Sequence, residues 1–140
     1  MDAKAYLKQV KYCDTQIDRK LEERQRLWEL ATKVTSTLRS DAASGGSDQD
    51  KLGGAMAKIA DLDREIDKDI DGFVELKKEI GAVIDKIPNS DFVKILDKRY
   101  FAYKTWEKIA CEMNYTYQWV CVLHGRALQA VENILKNQKN

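Results

Sequence analysis

Two long apolar stripes at helical spacing constrain this chain more than any other feature of its sequence. Over the first forty residues Val10, Cys13, Ile17, Leu21, Trp28, Ala31, Val34 and Leu38 recur at steps of three, four and seven. That spacing puts them on one side of a helix. Arg24 interrupts the stripe where leucine would be expected, and Leu27 and Leu30 widen it around Trp28. The opposite side, with Lys11, Asp18, Glu22 and Arg26, reads as a solvated charged face. A second stripe follows, of Met56, Ile59, Ile66, Ile70, Phe73, Ile80, Ile84 and Ile87, broadened by Leu62, Leu76 and Val83. Between the two lies SDAASGGSDQD, small and polar, which reads as a loop. Ser47 with Asp50 resembles a capping box, and Gly53-Gly54 weakens the turn after it. The second helix is therefore expected to be secure from Ala55 or Met56. Pro88, the only proline, ends it.

Helices of about thirty residues with one narrow apolar stripe need a partner in water. The short connection makes an antiparallel, coiled-coil-like hairpin the simplest arrangement, an arm over residues 1–88 with its loop near 40–54. Such an arm would be roughly 45 Å long. A two-helix hairpin leaves part of each stripe uncovered. Self-association follows as an expectation, a dimer being favoured, with docking of the arm on the rest of the chain as the alternative.

Residues 89–140 read as three further helices. Asn89 or Ser90 can cap one running from about Asp91 to Phe101, with Phe92, Ile95, Leu96 and Tyr100 inward. Thr105 caps the next, with Trp106, Ile109, Ala110 and Met113 inward, and Asn114 suits the left-handed residue that ends it. Thr116 caps the last, whose core side is Val120, Leu123, Ala127, Leu128, Val131 and Leu135. The whole is all-α, a long hairpin followed by a C-terminal helix-turn-helix of three helices. A composition with 34% charged residues and one proline agrees with that class.

The segment from Leu96 to Leu128 resembles region 4 of sigma-70-type factors. It is more similar still to the ArpU-like or RinA-like regulators of late transcription in phages and prophages. The residues that carry the resemblance are Arg99-Tyr100-Phe101, Trp106-Glu107-Lys108-Ile109-Ala110, Glu112-Met113, Tyr115-Thr116, Val120, Leu123-His124 and Ala127-Leu128. The resemblance implies double-stranded DNA as partner, with RNA polymerase as a possible second one, and the helix from Thr116 in the major groove. By the family's pattern the base-reading positions fall on Tyr117, Gln118, Cys121 and Val122, with Trp119 at their edge. Gln118 would pair with adenine, and Cys121 or Val122 would touch a thymine methyl. Lys104, the amides after Thr105, Lys108 and Arg126 would meet phosphates. Relatives offer Arg or Lys near Cys121 and Val122, where this chain does not. The apolar cluster Trp119, Cys121 and Val122 is equally open to a reading as a protein contact.

Charge is segregated weakly. From Asp91 onward eight Lys or Arg stand against five Asp or Glu, while the first ninety residues hold sixteen against eighteen. With a net charge of +1, a single copy would make few phosphate contacts, so a DNA reader of this kind needs an oligomer. Three cysteines (Cys13, Cys111, Cys121) without a CxxC pair read as reduced thiols in a cytoplasmic protein of the bacterial host. Cys111, Cys121 and His124 lack a fourth partner for zinc, so neither metal nor cofactor is expected. The run DLDREIDKDID has a calcium loop's composition without its glycine and falls on a helical stripe. One histidine supports no catalytic triad, and no enzyme is expected. Three readings stand: a transcription regulator, a protein-binding adaptor of sigma-like shape, and a small DNA-packaging subunit.

Overall fold

The computed structural model describes the backbone of residues 1–40 and 45–139, and the side chains of residues 1–33 and 49–139. All regular structure among them is helical: α1 (Ala3–Ser40), α2 (Gly45–Asp85), α3 (Ser90–Leu96), a π-helical turn (Asp97–Phe101), α4 (Trp106–Met113) and α5 (Tyr117–Lys139). No helix among the described residues is long and apolar enough to cross a membrane.

The two long helices exceed the expected thirty residues, at 38 and 41. Helix α2 already runs through Gly53-Gly54, so the expected loop near 40–54 is mostly helix and the Ser47–Asp50 pair lies inside it. The physical reason is propagation. Once Ala55 and Ile59 are buried, each added residue upstream costs only its own propensity, without a new nucleus. Residues 41–44, and the side chains of Val34 and Leu38 assigned to the stripe, lie outside the described ones.

The chain divides into two compact units, and the division is not the one at Pro88. Asp14–Gly72 forms one, and Met1–Cys13 with Phe73–Asn140 forms the other. In the first, Lys20 Nζ donates to Asp69 at 2.6 Å and Arg24 Nε to Asp63 at 2.5 Å. The partner number falls as the α1 number rises, so the helices run antiparallel as expected. Ile17, Ala31, Ala55, Ile59 and Ile66 form the buried line. Leu21, Trp28, Met56 and Ile70, placed on the stripes from spacing, are exposed flanks instead. A two-helix pair covers only a narrow strip of each helix, and these four lie beside that strip.

The second unit has two clusters. Ala3, Leu7 and Val10 pack with Ile80, Val83, Ile84, Ile87, Leu96, Tyr100, Ala127 and Val131. Thus the start of α1 and the end of α2 belong to the same core as the C-terminal helices. Asp2 begins α1 by accepting from the Ala5 amide at 2.8 Å, and the Ala3 amide donates to Glu132 on α5 at 3.2 Å. The smaller cluster joins Ile95, Ile109, Ala110, Val120 and Leu123, with Phe92, Trp106 and Met113 against it.

Two outcomes follow from this packing. Gly72 lies exposed in α2, and a methyl group added there meets no atom within 4 Å. Gly72→Ala is expected to stabilise the protein by about 0.5–1 kcal/mol, read as a higher midpoint in urea denaturation. Ile109 is fully buried, and Ile109→Ala is expected to cost about 2–5 kcal/mol in the same measurement.

Candidate nucleic-acid interface

Caps and one tether set the geometry of the C-terminal helices. The Asn89 side chain accepts from the amides of Asp91 (2.9 Å) and Phe92 (3.2 Å), which starts α3 at Ser90. The expected helix to Phe101 does not stay α-helical. It ends in a π turn, closed by the Ala102 amide on the Asp97 carbonyl at 3.0 Å and followed by Tyr103 at φ 58°. The Arg99 guanidinium donates to the Lys104 carbonyl at 2.9 Å and lies 4.3 Å over the Trp106 ring. These contacts turn the chain into α4. No spacing signal in the sequence announces a π turn or a tyrosine with positive φ.

Helix α4 begins and ends on the expected residues. Thr105 Oγ1 accepts from the Lys108 amide at 3.2 Å, and Asn114 takes the left-handed conformation at φ 57°, ψ 39°. The Tyr115 hydroxyl then donates to Asp91 at 2.7 Å, tying the turn back to α3. Thr116 Oγ1 accepts from the Trp119 amide at 3.1 Å and caps α5. A helix, a tight left-handed turn and a longer capped helix are therefore held as one piece.

At about 100° per residue, α5 buries Val120, Leu123, His124, Ala127 and Val131 on one side. Gln118, Cys121, Val122, Gly125, Arg126 and Gln129 are all exposed on the other, with Tyr117 and Trp119 at its edges. All five base-reading positions expected from the resemblance, Tyr117, Gln118, Trp119, Cys121 and Val122, thus share one exposed surface. Arg126 belongs to it too, its guanidinium 5.4 Å over the Trp119 ring. The expected phosphate contacts divide. Lys108 is exposed on α4. The amides after Thr105 open α4, where the Thr105 oxygen takes the one of Lys108. Lys104 is held by Glu112, with its ammonium 2.7 and 2.8 Å from the two carboxylate oxygens, and Lys98 completes the cluster at 2.7 Å.

Glu112 and His124 are the groups displaced furthest from their ordinary behaviour among the described residues. The hydrogen bonds from Lys104 and then Lys98 hold the Glu112 carboxyl down at about 2. His124, buried on α5, is pushed down to about 4, first by burial and then by the positive charges of Lys4 and Arg99. Its ring lies 4.4 Å from that of Trp106, and Nε2 shares a hydrogen bond of 2.7 Å with the Tyr100 hydroxyl. At neutral pH His124 is therefore an uncharged core residue joining the π turn to α5. Its ring nitrogen faces Tyr100, while Cys111 and Cys121 are exposed thiols. Among the described residues no group of three His, Cys, Asp or Glu is arranged to hold a metal.

No known protein family matches the chain, and no curated protein or solved structure is detectably similar to it.

The pH consequence is directional. A histidine whose folded value lies below its unfolded one binds fewer protons in the folded state, so stability is full above about 6.5 and falls as pH drops toward 4. Glu112, lowered in the folded state, contributes stability above about 4.5 that is lost as pH falls toward 2. Because His124 is the only histidine, its imidazole NMR resonances are expected to titrate well below 6.5. Denaturation midpoints measured in parallel are expected to drop between pH 6.5 and 4.

Proposed function

We propose that the protein is a sequence-specific DNA-binding regulator of phage or prophage transcription, reading the major groove with the first turns of α5. The observation that carries this reading is the exposed strip of Gln118, Cys121, Val122 and Arg126, with Tyr117 and Trp119 beside it, on a helix capped and tethered at its entry. The resemblance of Leu96–Leu128 to the ArpU-like and RinA-like regulators supports the same reading. In it, Gln118 recognises adenine by a bidentate contact and Val122 packs on a thymine methyl. Lys108 and Arg126 meet the backbone. Lys104 acts on α4 through Glu112 and is not a principal phosphate contact. The hairpin supplies the second copy, and RNA polymerase is the partner through which bound regulator acts on transcription.

A second reading has its own observation. Tyr117, Trp119 and Val122 are large, apolar and exposed, and the strip carries one basic residue. A protein-docking surface has that character.

Fluorescence anisotropy on fragments of the surrounding genome separates the two. The expected result is specific binding that Gln118→Ala weakens by about 1–3 kcal/mol. Arg126→Ala is expected to weaken all fragments alike. With two basic contacts per copy, the slope of log affinity against log salt is expected to be about −3.6 for a dimer. A folded sample that binds no fragment at low salt would sink the regulator reading in favour of protein docking.

A further inference from the structure

The unit of Asp14–Gly72 has one sealed flank and one open flank. Relative to its buried line through Ile17, Ala31, Ile59 and Ile66, Lys20, Glu65 and Asp69 fall on one side at about 100° per residue. Their ion pairs at 2.6 and 3.6 Å close that flank together with half-buried Leu27 and Leu62. Arg24 stands on the line itself, seven residues from Ile17 and from Ala31, and reaches to the other side, where it pairs with Asp63 and its guanidinium lies 5.6 Å over the Trp28 ring. The same count puts Leu21, Trp28, Met56 and Ile70 on this second flank, each between 37% and 45% exposed. Four large apolar side chains are thus collected around one ion pair by two antiparallel helices.

We infer that this flank is a dimer interface, occupied by the same flank of a second copy of the chain. The inference rests on the regulator reading above, which needs two reading helices, and adds where and how the copies meet. A two-fold axis running along the hairpin sets α1 of one copy against α2 of the other. In that arrangement the Arg24–Asp63 ion pair of one copy lies against the same pair of the other, Arg24 beside Asp63 of the second copy, since the two stand at one level along the hairpin. Leu21 and Ile70 lie on one side of that level and Trp28 and Met56 on the other, each pair matched to within about one helical turn. The two ion pairs alternate in sign around the axis, and the apolar pairs face each other across it.

An isologous contact of this kind joins a patch to itself, which only a self-complementary register allows. Arg24, the break in the α1 stripe, then has a use. A polar pair at the centre of an apolar seam selects one register over its neighbours. The described flank, about 30 Å long and two helices wide, covers on the order of 600 Å² per copy. That is the lower edge of a specific interface, so a concentration-dependent dimer is expected.

Sedimentation equilibrium of the full chain without DNA tests this. The wild type is expected to be dimeric at roughly 100 μM. The double variant Leu21→Glu, Trp28→Glu is expected to be monomeric there, with unchanged helical circular dichroism. Arg24→Glu and Asp63→Lys are each expected to weaken dimerisation at least about tenfold, and a one-to-one mixture of the two to recover it as a heterodimer. If the apolar double variant loses helicity, the mixing experiment decides. A monomeric wild type, a double variant that stays dimeric, or a mixture that stays monomeric would overturn the interface. Since the readout is mass, loss of DNA binding with an intact dimer counts against the regulator reading alone, and a DNA-binding monomer against the interface alone.

Discussion

Ile95 and Leu96 are neighbours in a helix of seven residues, and both are fully buried. Adjacent helical residues point about 100° apart, so one partner cannot cover both. Leu96 enters the cluster with Leu7, Val10, Ile80 and Val131, while Ile95 enters the one with Ile109, Val120 and Leu123. Helix α3 is therefore wedged between the ends of the long helices and the α4–α5 pair. The position of α5 depends on that wedge, since α3 also supplies Asp91 to the Tyr115 tether. A propensity argument would rate so short a helix as marginal; burial on two sides and the Asn89 cap hold it.

The electrostatics of the C-terminal helices are mostly internal. Lys98 and Lys104 neutralise Glu112, Arg99 stacks on Trp106, and Arg126 stacks on Trp119. What remains on the exposed side of α5 is amide, thiol, aliphatic and aromatic surface with the one guanidinium of Arg126. Such a surface discriminates by shape and by paired hydrogen bonds more than by charge. It gives little long-range attraction to a polyanion.

His124 illustrates how a lone histidine can serve the fold. A lone histidine in a sequence attracts metal or catalytic readings. Here burial and two nearby cations keep it neutral, and its polar atom is satisfied by Tyr100. Buried polar groups are tolerated when paired, and this one links the π turn to α5.

The sequence by itself determined the helical class, the antiparallel hairpin, a cap at Asn89 or Ser90, the caps at Thr105 and Thr116, and the left-handed turn at Asn114. Each of these is local: an apolar period, a side chain reaching its own amides, a residue type that tolerates positive φ. That Tyr117, Gln118, Trp119, Cys121 and Val122 are exposed was legible for the same reason, because exposure on a helix follows from the buried period. Tertiary structure alone decided the rest. Which stripe residues were covered, Ile17 and Ile66 but not Leu21 and Ile70, depended on the narrow contact between two helices. That Lys104 pairs with Glu112, and that the first turns of α1 join the C-terminal core, depended on residues far apart in the chain. Periodicity names a face of a helix; only packing in three dimensions says what lies against it.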